Sequence, residues 1–182
     1  MVKVLFIGDV FSEFEILMKR VTTLNTSASG PFDLVLSTGQ FFKDSDGDYG
    51  SLCMPIPTYI LPHSCLANIL PGNVFVMKEC GLQSIHGLTI ATNTKDSLFP
   101  SEDLQSTKES HFRGCDIFIS SDWPREFYHF LDEEDLTNLK ANIGLSIGCS
   151  IVADIAAAIK PRYHFSSKYD FFYQRCSFHL YL

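Results

Sequence analysis

The sequence has no run of about 18 apolar residues, the minimum length that a membrane-spanning helix requires. Residues 2–7 are mostly apolar, but this segment is too short for a signal peptide, and Gly8 and Asp9 interrupt it. We therefore interpret residues 2–7 as a first strand and expect no association with a membrane.

Cysteine pairs with Cys-x-x-Cys spacing are also absent, although the chain has six cysteines. They are scattered along the chain at Cys53, Cys65, Cys80, Cys115, Cys149 and Cys176. This spacing argues against a zinc knuckle. Because no secretion signal is seen, we expect buried, reduced thiols in a cytosolic or nuclear protein.

Positive charge is scarce, because 21 acidic residues outnumber 14 lysines and arginines and give a formal net charge of −7. This balance argues against broad electrostatic binding of nucleic acid and leaves room only for a local basic patch. Residues 8–12 also lack the glycines of a phosphate-binding loop, which disfavours a nucleotide-binding α/β protein.

What the chain does contain is a globular composition, with 46% apolar and 19% charged residues over 182 positions. We expect one domain, residues 1–182. Predicted strands cover residues 2–7, 32–36, 57–61, 74–77, 88–92, 116–120, 163–165, 171–173 and 178–182, and predicted helices cover residues 12–24, 101–112 and 150–160, with a short helix from the acidic run 132–135. Strands that alternate with helices early and cluster late predict an α/β (α+β) fold with helices outside the sheets. Ser12 and Glu15 form a capping-box pattern at the start of the first helix.

The stretch 116–125 predicts a central strand and its exit. Residues 117–119 are bulky and strand-favouring, which is typical of a strand covered on both faces. Pro124 must lie beyond the strand end. The loop that follows the strand carries Asp122, Trp123 and Arg125. Two interpretations stay open: a structural exit with Trp123 plugging the core, or a binding loop of the kind that gathers at strand ends.

Several predicted strand ends share a polar pattern. They are Gly8-Asp9-Val10-Phe11, Thr38-Gly39-Gln40, Leu61-Pro62-His63-Ser64 and residues 120–125, with a further element at residues 160–170. In order and spacing this set resembles the calcineurin-like metallophosphoesterases, whose fold is a β-sandwich flanked by helices with two metals held at strand ends. Residues 116–125 and 160–167 look most like the RNA lariat debranching enzyme. From residue 2 to residue 175, the chain most resembles the CwfJ-family splicing proteins, whose N-terminal domain is a degenerate version of this fold.

The resemblance implies that the two-metal site is degenerate. Of the expected ligands only the first Asp survives cleanly. The positions that correspond to the family's site are Asp9, Phe11, Gln40, His63, Ser121, Lys168 and Asp170. A neutral Gln40 cannot bridge two divalent ions as a carboxylate does, and Phe11 and Ser121 supply no comparable ligand. By resemblance we therefore expect no metal, no cofactor and no catalytic residue.

Two arrangements of the degenerate site are considered. Lys168 places a positive charge where a cation would lie, and we expect it to pair with Asp9 or Asp170. The alternative recruits His63 and His164 as replacement ligands for one metal beside Asp9 and Asp170, which implies a divergent metal-dependent phosphoesterase or nuclease. Two shifted histidines rarely rebuild such a site, and His164 is more simply a packed residue at a strand start.

The function implied by the resemblance is that of a nuclear, non-catalytic binding module in pre-mRNA splicing and intron lariat turnover. It would contact and modulate the RNA lariat debranching enzyme among late spliceosome components. Candidate contact residues for protein or RNA are Asp122, Trp123 and Arg125. For Trp123 the alternative is core packing. Family members continue into two C-terminal domains related to histidine-triad proteins, which we expect to be absent from this 182-residue chain.

Overall fold

A computed structural model describes residues 2–43, 52–62, 70, 72–94, 98–129, 131–142, 146–168 and 173–174. The strands in this part of the chain are β1 (Val4–Ile7), β2 (Leu34–Ser37), β3 (Thr58–Ile60), β4 (Val74–Val76), β5 (Cys80–Ile85), β6 (Leu88–Asn93), β7 (Ile117–Ser120) and β8 (Tyr163–Ser166). The helices are α1 (Phe14–Asn25), α2 (Ser101–Ser106), α3 (Glu133–Asn142) and α4 (Ser150–Ile159). The predicted α/β class is confirmed.

The strands divide into two four-stranded sheets. The first has the order β1-β2-β3-β4, and all of its neighbouring strands run parallel. The second has the order β5-β6-β7-β8 and is parallel except for the β5–β6 hairpin. Because parallel strands end at the same edge of a sheet, β1 and β2 bring their terminal loops together, and so do β6, β7 and β8.

Alternate residues of the two central strands build a core that both sheets share. They belong to one buried cluster and are Leu34, Leu36, Ile117 and Ile119. The residues between them, Val35 and Phe118, point to the opposite faces of their sheets and are buried in two other clusters. The prediction that residues 117–119 are covered on both faces is therefore confirmed. The specific likeness to a metallophosphoesterase sandwich stays a prediction.

Helices cover the two outer faces. Leu17 and Val21 on the buried stripe of α1 pack with Val35 of the first sheet. Val152 and Ile155 of α4 pack with Phe118 of the second sheet. The layers therefore follow the order helix, sheet, sheet, helix, and the strand ends emerge at the rims of both sheets.

Strand β5 was not predicted from the sequence. The hairpin turns at His86 and Gly87, whose φ values are 50° and 80°, and paired positive φ values are typical of a two-residue hairpin turn. The edge of β5 is held from outside, since the Leu82 N–H donates to the Asp103 carboxylate of α2 at 2.9 Å. A tertiary contact of this kind leaves little trace in local sequence.

The predicted capping box at the start of α1 is wrong. Helix α1 begins at Phe14, and Glu13 at its N-cap makes no side-chain capping hydrogen bond. The Ser12 hydroxyl accepts the Lys43 backbone N–H at 3.0 Å instead. Ser12 has a φ of 64°, so the chain enters the helix through a left-handed residue that ties it to the segment after β2.

The boundaries of other helices also differ from their predicted positions. Helix α2 ends at Ser106 rather than at residue 112, and α3 begins inside the predicted acidic run. The predicted strands at 171–173 and 178–182 lie almost entirely outside the described residues. No helix in the described ranges is long and apolar enough to cross a membrane.

The described cysteines are free thiols, but they are not uniformly buried. Cys115 is buried, whereas Cys53 is exposed and Cys80 is partly exposed. Burial, and to a lesser extent the neighbouring Asp116 carboxylate, raises the pKa of the Cys115 thiol to about 12. Cys115 is therefore held as an unreactive thiol at neutral pH.

We predict that Gly39→Ala destabilises the protein, whereas Gly8→Ala does not. A Cβ at Gly39 would lie 2.6 Å from the Asp9 backbone nitrogen and 2.8 Å from the Gly8 carbonyl carbon, so backbone must move. Overpacking of this kind costs about 1–3 kcal/mol. A Cβ at Gly8 meets nothing within 4 Å, which makes that variant the matched control. Urea denaturation measures both, and equal stabilities would contradict the close approach of the two loops.

Candidate functional site

The ends of β1 and β2 form one bonded unit. The Asp9 carboxylate accepts the Gln40 backbone N–H, and the Gln40 carbonyl accepts the backbone N–H groups of Val10 at 2.8 Å and Phe11 at 3.3 Å. Gly39 permits this approach because it has no side chain. The structure thus brings Asp9 and Gln40 together as predicted, but the Asp9 carboxylate is engaged by backbone.

Phe11 occupies the second position of the resembled motif in a strained conformation. Its φ is 48°, in the left-handed region that bulky residues rarely adopt, and 43% of its surface is exposed. Such strain persists only where the surroundings dictate it, and the Gln40 carbonyl holds the Phe11 amide in place. A phenyl ring has no lone pair to offer a cation, so this position presents apolar surface.

The end of β7 is bonded to the end of β6. The Ser121 hydroxyl donates to the Thr94 carbonyl at 2.7 Å, and the Ser121 N–H donates to the Asn93 carbonyl at 3.0 Å. Ser121 was predicted to stand where the family has a ligating His. Its hydroxyl instead fastens the start of the loop that follows β7, residues 121–125, which we call the 121–125 loop.

Lys168 forms the ion pair that was expected of it, but the described partner is Asp122. The lysine amine lies 2.7 Å from one carboxylate oxygen of Asp122 and 2.8 Å from the other. The predicted partner was Asp9 or Asp170; Asp9 is bonded to Gln40, and Asp170 lies outside the described residues. The Asp122 side chain is only 10% exposed, whereas that of Lys168 is 51% exposed. Asp122 is therefore part of an internal ion pair, and the prediction that it is a surface contact residue is wrong.

The prediction that Trp123 is a contact residue for a partner is also wrong, because only 7% of its surface is accessible. Its indole packs edge-on against Phe127 with ring centroids 4.6 Å apart, in a cluster that includes Leu139 of α3. The alternative of core packing is therefore confirmed. Arg125 is exposed, and its backbone N–H donates to the Cys149 carbonyl at 3.0 Å.

A polar cluster that the sequence analysis missed lies beneath the 121–125 loop. The Ser120 hydroxyl donates to the Asp122 carbonyl at 2.7 Å and lies 2.8 Å from Nε2 of His164 and 3.1 Å from the Ser166 hydroxyl. The His164 ring stacks on Phe118 with centroids 4.3 Å apart. Strand register puts these residues side by side, since Phe118 pairs with His164 and Ser120 pairs with Ser166. The sequence carries only a faint signal, a serine at the end of each strand.

Burial lowers the pKa of the His164 imidazole from 6.5 to about 4. The ring is therefore neutral at physiological pH. Its Nε2 is already used within the cluster, which agrees with the expectation that His164 is a packed residue. The alternative that made His164 a metal ligand also required His63 and Asp170, and both lie outside the described residues.

The site residues that the structure describes do not fit a two-metal centre of the resembled kind. Within the described part of the chain, no three His, Cys, Asp or Glu side chains are grouped closely enough to hold an ion. The Asp9 carboxylate is bonded to backbone, the Ser121 hydroxyl donates to a carbonyl, and Lys168 brings a cationic amine. What this site can do is hold the 121–125 loop in a fixed shape.

Curated relatives of this chain include CWF19-like proteins from several animals. No protein-family model matches the chain. CWF19-like protein 1 of Mus musculus is 28% identical over 204 residues, which cover 95% of this chain and 37% of that protein. The CWF19-like protein 1 homolog of Caenorhabditis elegans is 29% identical over 191 residues, covering 90% of this chain and 34% of the homolog. Zinc finger CCCH domain-containing protein 64 of Arabidopsis thaliana is 26% identical over 218 residues, which cover 95% of this chain and 35% of that protein.

Fold and site together define a mixed α/β protein whose strand-end polar groups are bonded to one another. The recurrence of the CWF19-like name among animal relatives supports the predicted assignment to the CwfJ family of CWF19-like proteins. The chain spans just over a third of the length of the curated relatives it matches.

We predict that Lys168→Ala lowers the free energy of unfolding by about 1–2 kcal/mol, because a nearly buried Asp122 carboxylate loses its cation. Exposure of the Lys168 amine keeps the loss below that of a fully buried pair. Lys43→Ala is the matched control. Its side chain is 52% exposed and lies 3.8 Å from an exposed Glu13, so its loss should stay within about 0.5 kcal/mol. Equal losses in urea denaturation would contradict an anchoring role for Lys168.

We also predict a pH dependence that originates at His164. Between pH 6.5 and about 4 the unfolded chain binds a proton that the folded ring does not, so stability falls as the pH falls through this window. The full loss is about 3 kcal/mol, and below about pH 4 both states are protonated. His164→Gln should flatten this part of the stability profile. Superimposable profiles for wild type and His164→Gln would exclude the assignment.

Proposed function

We propose that this chain is a non-catalytic binding domain that acts in pre-mRNA splicing and intron lariat turnover. It binds the RNA lariat debranching enzyme in the nucleus and modulates that enzyme's activity. The names of the relatives, CWF19-like protein 1 in several animals, support the link to splicing. The partner and the modulation are what the resemblance to the CwfJ-family splicing proteins implies.

The observation that carries the proposal is the internal use of the strand-end groups. Asp9, Ser121 and Lys168 stand at positions where the resembled enzymes bind metals, and each is bonded within the protein. A two-metal phosphoesterase needs its cations to activate water and to neutralise the reacting oxygens. Because these groups bond to the backbone or, in the case of Lys168, to Asp122 in an ion pair, they fix the shape of the strand-end loops, which suits a surface that binds a partner.

Arg125 is the contact residue that the geometry favours. It is exposed at the end of the 121–125 loop, while Asp122 and Trp123 before it are buried and fix the loop to the core. Arginine is enriched at interface hot spots because its planar guanidinium forms several directed hydrogen bonds.

A protein partner is favoured over RNA as the main ligand of this surface. The formal net charge of the chain is −7, and the Lys168 amine at the site is neutralised by Asp122. Phosphate backbones are bound through several cationic side chains at once. RNA bound at this surface with strong salt dependence would therefore count against a protein-binding module.

The proposal is tested with the purified 182-residue chain immobilised and purified debranching enzyme passed over it. Saturable binding at physiological salt, together with a changed rate of lariat cleavage by the enzyme when the chain is added, is the expected result. The absence of binding would overturn the proposed partner. Binding without any change in cleavage rate would overturn the modulating role.

We predict that Arg125→Glu weakens this binding about tenfold or more, which is the effect of losing one hot-spot residue. The unfolding free energy should change by no more than about 0.5 kcal/mol, since the side chain is exposed. Arg20→Glu, an equally drastic charge reversal on the exposed part of α1, should leave the affinity unchanged. Equal weakening by both variants would indicate a bulk charge effect rather than a specific contact.

A further inference from the structure

The donors and acceptors around the Ser120 hydroxyl determine which ring nitrogen of His164 carries the proton. A serine hydroxyl has one proton to donate and two lone pairs. The Asp122 carbonyl, 2.7 Å away, can only accept, so it takes the Ser120 proton. The Ser120 oxygen must then accept from Nε2 of His164 at 2.8 Å and from the Ser166 hydroxyl at 3.1 Å. Nε2 of His164 is therefore protonated, and Nδ1 carries the free lone pair.

Through the Ser120 hydroxyl, this cluster is bonded to the 121–125 loop. The bond from Ser120 to the Asp122 carbonyl fixes the first part of the loop, and the carboxylate of the same Asp122 is held by Lys168. At the far end, the Trp123 carbonyl accepts the Cys149 N–H at 2.8 Å, and the Arg125 N–H donates back to the Cys149 carbonyl at 3.0 Å. The loop is thus clamped between the end of β7 and the segment that leads into α4.

We propose that His164 is a positioning residue: its Nε2–H donates to Ser120, orients the Ser120 hydroxyl toward the Asp122 carbonyl, and so sets the position of the 121–125 loop and of Arg125. This inference rests on the proposed function for its biological meaning, because it identifies what holds the partner-binding residue in place. Without the Nε2 donor, the Ser120 hydroxyl is free to turn its proton toward other acceptors, and the loop loses one of the contacts that hold it.

Neighbouring groups agree with a fixed, neutral imidazole. The ring stacks on Phe118, which is fully buried, so one face of the imidazole is closed to water. Ser120 has no exposed surface, and a donor removed from it would not be replaced readily by bulk water. The role assigned to His164 therefore depends on a single nitrogen atom, which allows a sharp test.

Three substitutions of His164 distinguish the role of Nε2 from that of Nδ1. The side-chain amide nitrogen of Gln can reach the position of Nε2, whereas that of Asn reaches only the position of Nδ1. His164→Gln should keep the clamp, while His164→Asn and His164→Leu should break it. In the broken variants, hydrogen exchange at the Arg125 and Cys149 amides should rise about tenfold, the amount that corresponds to one net hydrogen bond. In wild-type protein, nitrogen-15 NMR should find the His164 proton on Nε2.

The outcomes distinguish this inference from the proposed function. A proton on Nδ1, unchanged amide exchange in His164→Leu, or rescue by Asn and not by Gln would overturn the positioning role. Its support is the Nε2–H tautomer, faster exchange in His164→Leu and His164→Asn, and restoration by Gln. Debranching-enzyme affinity should fall about tenfold in His164→Leu and be restored in His164→Gln. If wild-type protein fails to bind the enzyme at all, the proposed function fails, while the tautomer and exchange data still decide the role of His164.

Discussion

The structure depends on one constraint, the period-two alternation of side chains along the central strands. Ile117 and Ile119 of β7 are buried in the core between the sheets, which obliges Phe118 and Ser120 to point to the opposite face. Parallel pairing in register then sets His164 beside Phe118 and Ser166 beside Ser120. The same packing that stabilises the sheets therefore assembles the polar cluster beneath the 121–125 loop, and a register slip of one residue would destroy both.

At the described strand ends, polar groups of the resembled site are engaged in contacts within the protein. At one pair of strands, a carboxylate that would bind a metal accepts a backbone N–H, so Asp9 ties two loops together. At the end of β7, Lys168 and Asp122 form an ion pair. The Asp122 side chain in this pair is almost fully buried. The Asp9 and Asp122 carboxylates are thus both engaged within the protein. In our account, the 121–125 loop is left with a recognition role.

Sequence reasoning succeeded where local pattern decides structure. The run 117–119 is apolar without alternation, and it is a central strand covered on both faces, as that pattern predicts. Helix α4 ends one residue before its predicted end, because Pro161 follows directly after the left-handed cap at Lys160. The α/β class follows from the order of such elements.

Sequence reasoning failed where a distant contact decides structure. Strand β5 depends on an edge contact with Asp103, and Ser12 bonds to Lys43 rather than capping its own helix. Trp123 was open to two interpretations because burial of a loop aromatic depends on which helix packs over it, here α3 through Leu139. The pairing of Lys168 with Asp122, 46 residues apart, depends on the β7–β8 register, which no local pattern encodes.

The central claim is that the strand-end groups are used within the protein and not by metal ions. A manganese titration followed by electron paramagnetic resonance tests it most directly, with Asp9→Asn as the control. The account predicts no saturable binding by wild-type protein, and titration curves that are the same for wild type and Asp9→Asn. Saturable binding of Mn²⁺ that Asp9→Asn abolishes, accompanied by metal-dependent hydrolysis of a phosphodiester, would contradict it and identify the chain as a divergent phosphoesterase.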